Sequence, residues 1–308
     1  MEDYPQNLSE LEKRFATEEA CRECLFKIRW PEGYRCPRCN TPKSWPMKGG
    51  LIRCAGCGYK CSITSGTIFE RTRKPLVLWF RAIWWVASQK NGVSAKGVQR
   101  VLELGSYQTA WVWMHKLRRS MVSPRRDRLA GAIEVDETYI GGERPGKQGR
   151  GAEGKTLVAI AVEDKGDAGI GRIRLSIVPD ASSSSLTAFM QQCIEPGATV
   201  HTDDWPAYRN IQSFGYHHEI KNSKDLKIAH LVASLLKRWL LGTHQGAVSH
   251  EHLTYYLDEF TFRFNRRTSH HRGKLFYRLL QNAMEIEATT YRKMVQNVRG
   301  RKSSDRYI

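Results

Sequence analysis

At 308 residues, with 41% hydrophobic and 10% aromatic content, the chain is long enough for two or three packed domains and is no disordered polymer. Its 49 Lys and Arg against 31 Asp and Glu leave a formal charge of +18. The longest apolar run, "PLVLWFRAIWWVAS", spans 14 residues and carries Arg81 within it, too short and too polar for a membrane span.

The charge is unevenly spread. Residues 51–128 hold 15 basic and 3 acidic side chains, whereas 134–204 hold 7 basic and 12 acidic. A basic front ahead of an acidic middle predicts a polyanion-binding module joined to a site that holds cations. The N-terminus "MEDYPQNLSELEKRF" is acidic and polar, unlike a secretory signal. The expected location is therefore the cytoplasm, where eight cysteines stay reduced and available to metal.

In chain order, residues 8–26 read as one short amphipathic helix. Two Cys-x-x-Cys knuckles follow, Cys36/Cys39 and Cys54/Cys57, with 14 residues between them. Each precedes a turn-forming residue, Asn40 or Gly58, so two hairpin turns can present four thiolates tetrahedrally. That is the requirement of a structural Zn²⁺ site. Cys21, Cys24, Cys61 and Cys193 lack such pairing and read as packing residues.

Beyond the knuckles, Leu76, Trp79, Phe80, Ile83 and Val86 recur at helical spacing. "NGVSAKGVQRVLEL", a Gly-Ser turn and "YQTAWVWMHKLRRSM" then read as a helix-turn-helix whose second helix enters the major groove of double-stranded DNA. "VSPRRDRLA" reads as a basic linker.

Strands are expected at "AIEVDETYIGG", "LVAIAVE" and "GRIRLSIVPD", then a helix over "SSSSLTAFMQQCI". "ATVHTDDWPAY" and "GYHHEI" supply two more strands, and "KIAHLVASLLKRWLLG" and "EHLTYYLDEFTFRFNRR" two helices. The pattern predicts an α/β fold with a central mixed sheet. "GRGAEGKT", residues 149–156, matches a phosphate-loop pattern, but the run after it is strand-like rather than helical. Without a helix N-terminus behind it the match predicts no ATP site.

Asp136 and Asp203 close the strands "AIEVDE" and "VHTDD". Carboxylates at strand ends converge on one crevice in an α/β domain, and two hard oxygen donors suit Mg²⁺ or Mn²⁺. Such ions activate the attacking oxygen and neutralise the leaving one at a phosphodiester. Glu137 and Asp204, one residue on, point to the opposite face.

Taken together, "RCPRCN", "IRCAGCG", "TAWVWMHKLRRSM", "IEVDETYIGG", "HTDDWPAY" and "LLKRWLLGTHQGAVSHEHLTYYLDEFTFRFNRR" resemble bacterial insertion-sequence transposases of the zinc-ribbon type, an ISXO-like group related to the eukaryotic Merlin elements. The resemblance runs from about Cys21 to Ala283. It implies a ribonuclease-H-like catalytic domain with a DDE-type metal site, its first acid at Asp136 and its second at Asp203. The third position, often Glu in this family, falls on His230, and a lysine seven residues later on Lys237. Two helical turns separate them, so they share a face. An imidazole is a poorer Mg²⁺ ligand than a carboxylate and more acceptable to Mn²⁺. His230 is read as a metal ligand, or as a contact to metal-bound water or a phosphate, or as a plain surface histidine; Glu219 and Asp225 are rival third ligands.

The expected segments are an N-terminal helical part (1–30), the zinc ribbon (31–66), the helix-turn-helix region (67–122), the catalytic domain (130–283) and a basic tail (284–308). The implied activity is metal-dependent cleavage and strand transfer at the inverted-repeat ends of an insertion sequence, with target DNA as second substrate and a homodimer or larger assembly on DNA. No membrane and no ATP are involved, and the nucleoid is the expected place of action. The alternative is a zinc-ribbon DNA-binding regulator without catalysis, which needs neither the strand-end acids nor the His230/Lys237 face.

Overall fold

The computed structural model describes residues 3–123, 126–141, 155–246 and 248–296. The described residues divide into two compact units, one within 1–121 together with 269–296, the other within 122–268. The nucleotide-loop match is outside the described residues up to Gly154, and so are 297–308 of the expected tail.

The first unit begins with α1 (Leu8–Arg14) and α2 (Glu18–Arg29). Sequence periodicity suggests one helix here, but the chain breaks at Phe15 and restarts on Thr17, whose hydroxyl accepts the Ala20 amide. A free Thr side chain at that point competes with helix continuation by capping a new one. Strands β1 (Ser44–Pro46), β2 (Leu51–Cys54) and β3 (Lys60–Ser62) then form a small antiparallel sheet.

Helices α3 (Leu76–Ser88), α4 (Ala95–Val101) and α5 (Tyr107–Ser120) follow. The Trp79 and Trp113 rings stack at 3.8 Å, tying α3 to α5, and Phe69 meets Trp79 edge-on. The helix-turn-helix expectation meets a difference here. From Trp113 to Arg118 α5 is buried on every side, and the Lys116 ammonium donates to the Ile68 carbonyl at 2.7 Å. Its basic residues Lys116 and Arg118 lie inside the unit, because an aromatic-rich helix surrounded by α3 and its neighbours has no polar side to offer. Only the first turn, at Ser106, Tyr107 and Gln108, is exposed.

The second unit is built on a five-stranded sheet. Its strands are β4 (Ala132–Ile140), β5 (Thr156–Asp164), β6 (Ile170–Ile177), β7 (Thr199–Thr202) and β8 (His217–Ile220), in the order β6-β5-β4-β7-β8. The first three form an antiparallel meander, while β7 and β8 run parallel to β4. That order, with only β5 reversed, is the ribonuclease-H-like topology. Parallel pairing of β4 with β7 requires a crossover, and α6 (Ser183–Cys193) supplies it.

Helices α7 (Lys227–His244) and α8 (Leu253–Phe264) complete this unit. One sheet face packs Ile133, Val135 and Val200 with Leu186, Phe189 and Met190 of α6. The other packs Val158, Ile160 and Val162 with Val232 and Leu236 of α7 and Leu257 and Phe260 of α8. Thr156, at the end of the phosphate-loop pattern, opens β5 rather than a helix.

Helix α9 (Arg272–Glu285) and α10 (Tyr291–Gln296) return to the first unit, where Phe276 packs against Phe15, Phe80 and Trp84. The sheet unit thus ends at residue 268, ahead of the expected catalytic boundary at 283. Among the described residues no helix is long and apolar enough to cross a membrane.

Candidate active site and metal centre

Alternation along β4 decides which side chains face which layer. Ile133 and Val135 enter the α6-side core, so Glu134 and Asp136 face α7. Asp136 is not at a strand end: β4 continues to Ile140 beside β5. It lies instead just past the last β4–β7 pair, Glu134 with His201, so the sheet opens on one side of it. Asp203 lies one residue beyond β7, next to that opening, with its Oδ1 accepting the Trp205 amide at 3.1 Å.

Asp136 is held well above the usual carboxyl range, at about 6, chiefly by burial and further by the charges of Glu137 and Asp203, while His230 pulls the other way. A buried carboxyl of this kind is disfavoured in its charged form unless a cation joins it. Glu137 turns to the α6 side, where the buried Tyr208 hydroxyl donates to it at 2.8 Å. Asp204 is exposed.

Helix α7 crosses over β4 and β5, and its His230 Nε2 stands 3.3 Å from Asp136 Oδ2. The imidazole remains about half exposed, the Asp136 carboxyl largely covered. Lys237 follows two turns later on the exposed face, with no ion pair among the described residues. Neither rival third ligand comes to this point in the same way. Glu219 on β8 pairs with His201 at 3.0 Å, and Asp225 is exposed in the short turn before α7. The structure therefore sets His230 against Asp136, with the charge of Asp203 acting on the same carboxyl. Carboxyl groups and an imidazole are donors of a kind that a divalent cation accepts, Mn²⁺ more readily than Mg²⁺, although among the described residues only the four ribbon cysteines already stand close enough together to share an ion.

The residue that sequence reasoning passed over is Glu134. Its Oε2 accepts the amides of Ile228 and Ala229, each at 2.9 Å, at the first turn of α7. The signal was present in two places: Glu134 is two residues before Asp136 on an alternating strand, and α7 begins after Leu226, which cannot cap a helix.

In the ribbon, the four thiols of Cys36, Cys39, Cys54 and Cys57 lie within 4.8 Å of one another. Sγ–Sγ separations of 3.7 Å (Cys36–Cys57) and 3.5 Å (Cys39–Cys54) approach the ~3.8 Å edge of a tetrahedron with ~2.3 Å Zn–S bonds. The amides of Arg38 and Gly56 donate to Cys36 and Cys54. The Tyr34 hydroxyl is buried beside Cys36, where a zinc-bound thiolate would be its acceptor. The donor set fits Zn²⁺. Cys21, Cys61 and Cys193 are buried packing residues, and Cys24 is half-buried.

A ribonuclease-H-like sheet with an acid pair at the β4/β7 opening, in a chain with a four-cysteine ribbon, defines the class of DDE-type transposases. Residues 128–265 match the ISXO2-like transposase domain and residues 16–60 the transposase zinc-ribbon domain. A relative from Halobacterium salinarum, an uncharacterized protein in transposable element ISH50, is 26% identical over 282 residues, covering 82% of this chain and 92% of its own. Similar solved structures include a simian T-cell lymphotropic virus intasome in complex with the PP2A regulatory subunit B56 gamma (15% identity, TM-score 0.29, 52% of this chain and 63% of that one). A pre-cleavage Mos1 transpososome is another (12% identity, TM-score 0.28, 67% of this chain and 75% of that one). The chain thus carries an ISXO2-like transposase domain behind a transposase zinc-ribbon domain.

Proposed function

We propose that this transposase binds the inverted-repeat ends of its insertion sequence as double-stranded DNA, cuts a phosphodiester there, and joins the freed 3′-hydroxyl to target DNA. The observation that carries this is the approach of His230 to Asp136 near Asp203, with an exposed helix surface next to it whose charged residues are all basic. Helix α7 holds Lys227, Lys237 and Arg238 on its exposed face and no acidic residue along its length. Such a face attracts a phosphodiester backbone.

Asp136, Asp203 and His230 would hold Mg²⁺ or Mn²⁺, which activates the attacking oxygen and neutralises the leaving one. In the first step water adds to the scissile phosphorus, its proton passes to solvent, and the P–O3′ bond breaks to leave a 3′-hydroxyl. In the second, that hydroxyl attacks a target phosphodiester and displaces another 3′-oxygen. Each step exchanges one phosphodiester bond for another or for water, so no ATP is consumed. Lys237 binds a phosphate near the scissile bond. The zinc held by Cys36, Cys39, Cys54 and Cys57 keeps the ribbon folded for end recognition.

Residues 31–66 act as this ribbon, 67–122 as the helical DNA-binding region, and the sheet region as the catalytic domain. Within the helical region the exposed first turn of α5, Ser106 to Gln108, is the part that can enter a groove. The bases of Lys116 and Arg118 are inside and contribute to folding instead. Two ends must meet, so a dimer or larger assembly works on the nucleoid in the cytoplasm.

The test is strand cleavage of a duplex carrying the element's terminal repeat, with Mg²⁺ or Mn²⁺. Asp136→Ala and Asp203→Ala should each stop cleavage while leaving duplex binding intact or stronger, since each removes a negative charge. Near-normal cleavage by either variant sinks the reading.

A further inference from the structure

Helix α7 starts without a cap of its own. Its N-cap position is Leu226, a fully buried apolar residue with no side-chain acceptor, and the first intrahelical bond runs from the His230 amide to the Leu226 carbonyl. The preceding amides have no intrahelical partner, and buried amides left unpaired are costly. The acceptor comes from across the sheet. Glu134, 2% exposed on β4, places one carboxyl oxygen 2.9 Å from both the Ile228 and the Ala229 amide. These are the second and third helical positions, the ones a local Ser, Thr or Asp would serve.

The placement links two parts of the site. Glu134 and Asp136 project from the same face of one strand, two residues apart. The helix turn that Glu134 grips ends at Ala229, and the next residue is His230, whose imidazole stands over Asp136. β4 thus carries both the acid of the site and the anchor of the helix that brings the third group to it. On the reading that Asp136, Asp203 and His230 hold the cation, we infer that Glu134 is a positioning residue: it fixes the first turn of α7 so that His230 meets Asp136. The carboxyl contributes through its acceptor oxygen, and metal-site positioning groups of this kind typically change metal affinity about 10–100-fold when removed.

The test measures Mn²⁺ binding to the full chain without DNA, from the electron paramagnetic resonance signal of free Mn²⁺. Glu134→Met, similar in length but without an acceptor, should weaken binding about tenfold or more. Glu134→Gln keeps an oxygen that can accept both amides and should stay close to the wild type. His230→Ala should weaken binding, and Glu134→Met added to it should cost little more, because both changes remove the same imidazole from the site. Hydrogen exchange at Ile228 and Ala229 should quicken in Glu134→Met while the amides of β4 and β5 keep their protection. Should Glu134→Met fail to fold, Glu134→Asp, one methylene too short to reach the helix, takes its place with the same expectations. Wild-type Mn²⁺ affinity in the acceptor-lacking variant, or a fully additive loss in the double variant, overturns the inference. Asp136→Ala separates the two levels: if it binds Mn²⁺ normally, the metal site itself is misplaced and the positioning role falls with it. If it loses Mn²⁺ while Glu134→Met keeps it, only the positioning role falls.

Discussion

His230 Nε2 lies 3.3 Å from Asp136 Oδ2, a helix side chain resting on a strand carboxyl where the sheet opens between β4 and β7. On the proposed reading its imidazole stands where the resembled family often has a glutamate, so the choice of metal should follow the ligand. His230→Ala should lower cleavage at least about tenfold with Mg²⁺ and with Mn²⁺, Mn²⁺ recovering part of the loss. His230→Glu should keep or raise Mg²⁺-supported cleavage, because a carboxylate is the harder donor. Normal cleavage by His230→Ala together with loss in Glu219→Ala or Asp225→Ala would move the third ligand ahead of α7.

Asp136 should also make the protein's stability depend on pH when no Mg²⁺ or Mn²⁺ is added. Burial first, then Glu137 and Asp203, raise its carboxyl from an ordinary 3.8 to about 6. An acid that binds its proton more tightly folded than unfolded stabilises the fold at low pH, and that contribution is lost as pH rises from the lower value through the upper one. Asp136→Asn cannot ionise and keeps it. At pH 7.5 the variant should therefore be more stable than the wild type, by on the order of 2 kcal/mol, with the two converging near pH 4. Thermal melts across that range decide the matter; an Asn variant that is less stable at pH 7.5 shows that the acid is not strained there.

The ribbon should carry about one zinc per chain. Cys36→Ser should release it and abolish specific binding to the element ends, with loss of ordered amide signals in β1 to β3, since ligand-dependent ribbons fold only around their ion. Metal analysis showing that zinc persists after both Cys36 and Cys54 are replaced would reassign the site.

Lys237 and Lys116 make opposite predictions from the same residue type. Lys237 is exposed on the basic face of α7, so Lys237→Ala should weaken duplex binding and reduce the slope of affinity against salt by about one counterion. Lys116 is 8% exposed and bonded to the Ile68 carbonyl. Lys116→Met should change stability, by about 1–3 kcal/mol, and leave the salt slope alone. A salt slope lowered by the Lys116 substitution would put α5's basic end back on DNA.

What the sequence determined by itself was local. Cys36/Cys39 and Cys54/Cys57 announce their four-thiol cluster because each knuckle is a short-range turn. The alternation in "IEVDE" separates Asp136 from Glu137 without any knowledge of neighbours, and helical periodicity places His230 and Lys237 on one exposed face. The tertiary structure decided what depends on which elements meet. Asp136 lies at an opening only because the β4–β7 pairing stops two residues before it, and that stop is a property of pairing between strands far apart in the chain. The basic end of α5 reads as a groove-binding surface until α3 and its aromatic rings enclose it. Glu134 reads as an ordinary strand acid until α7, which has no cap of its own, arrives above it. Periodicity and spacing report which side of an element is apolar; they carry no information about the partner that covers it.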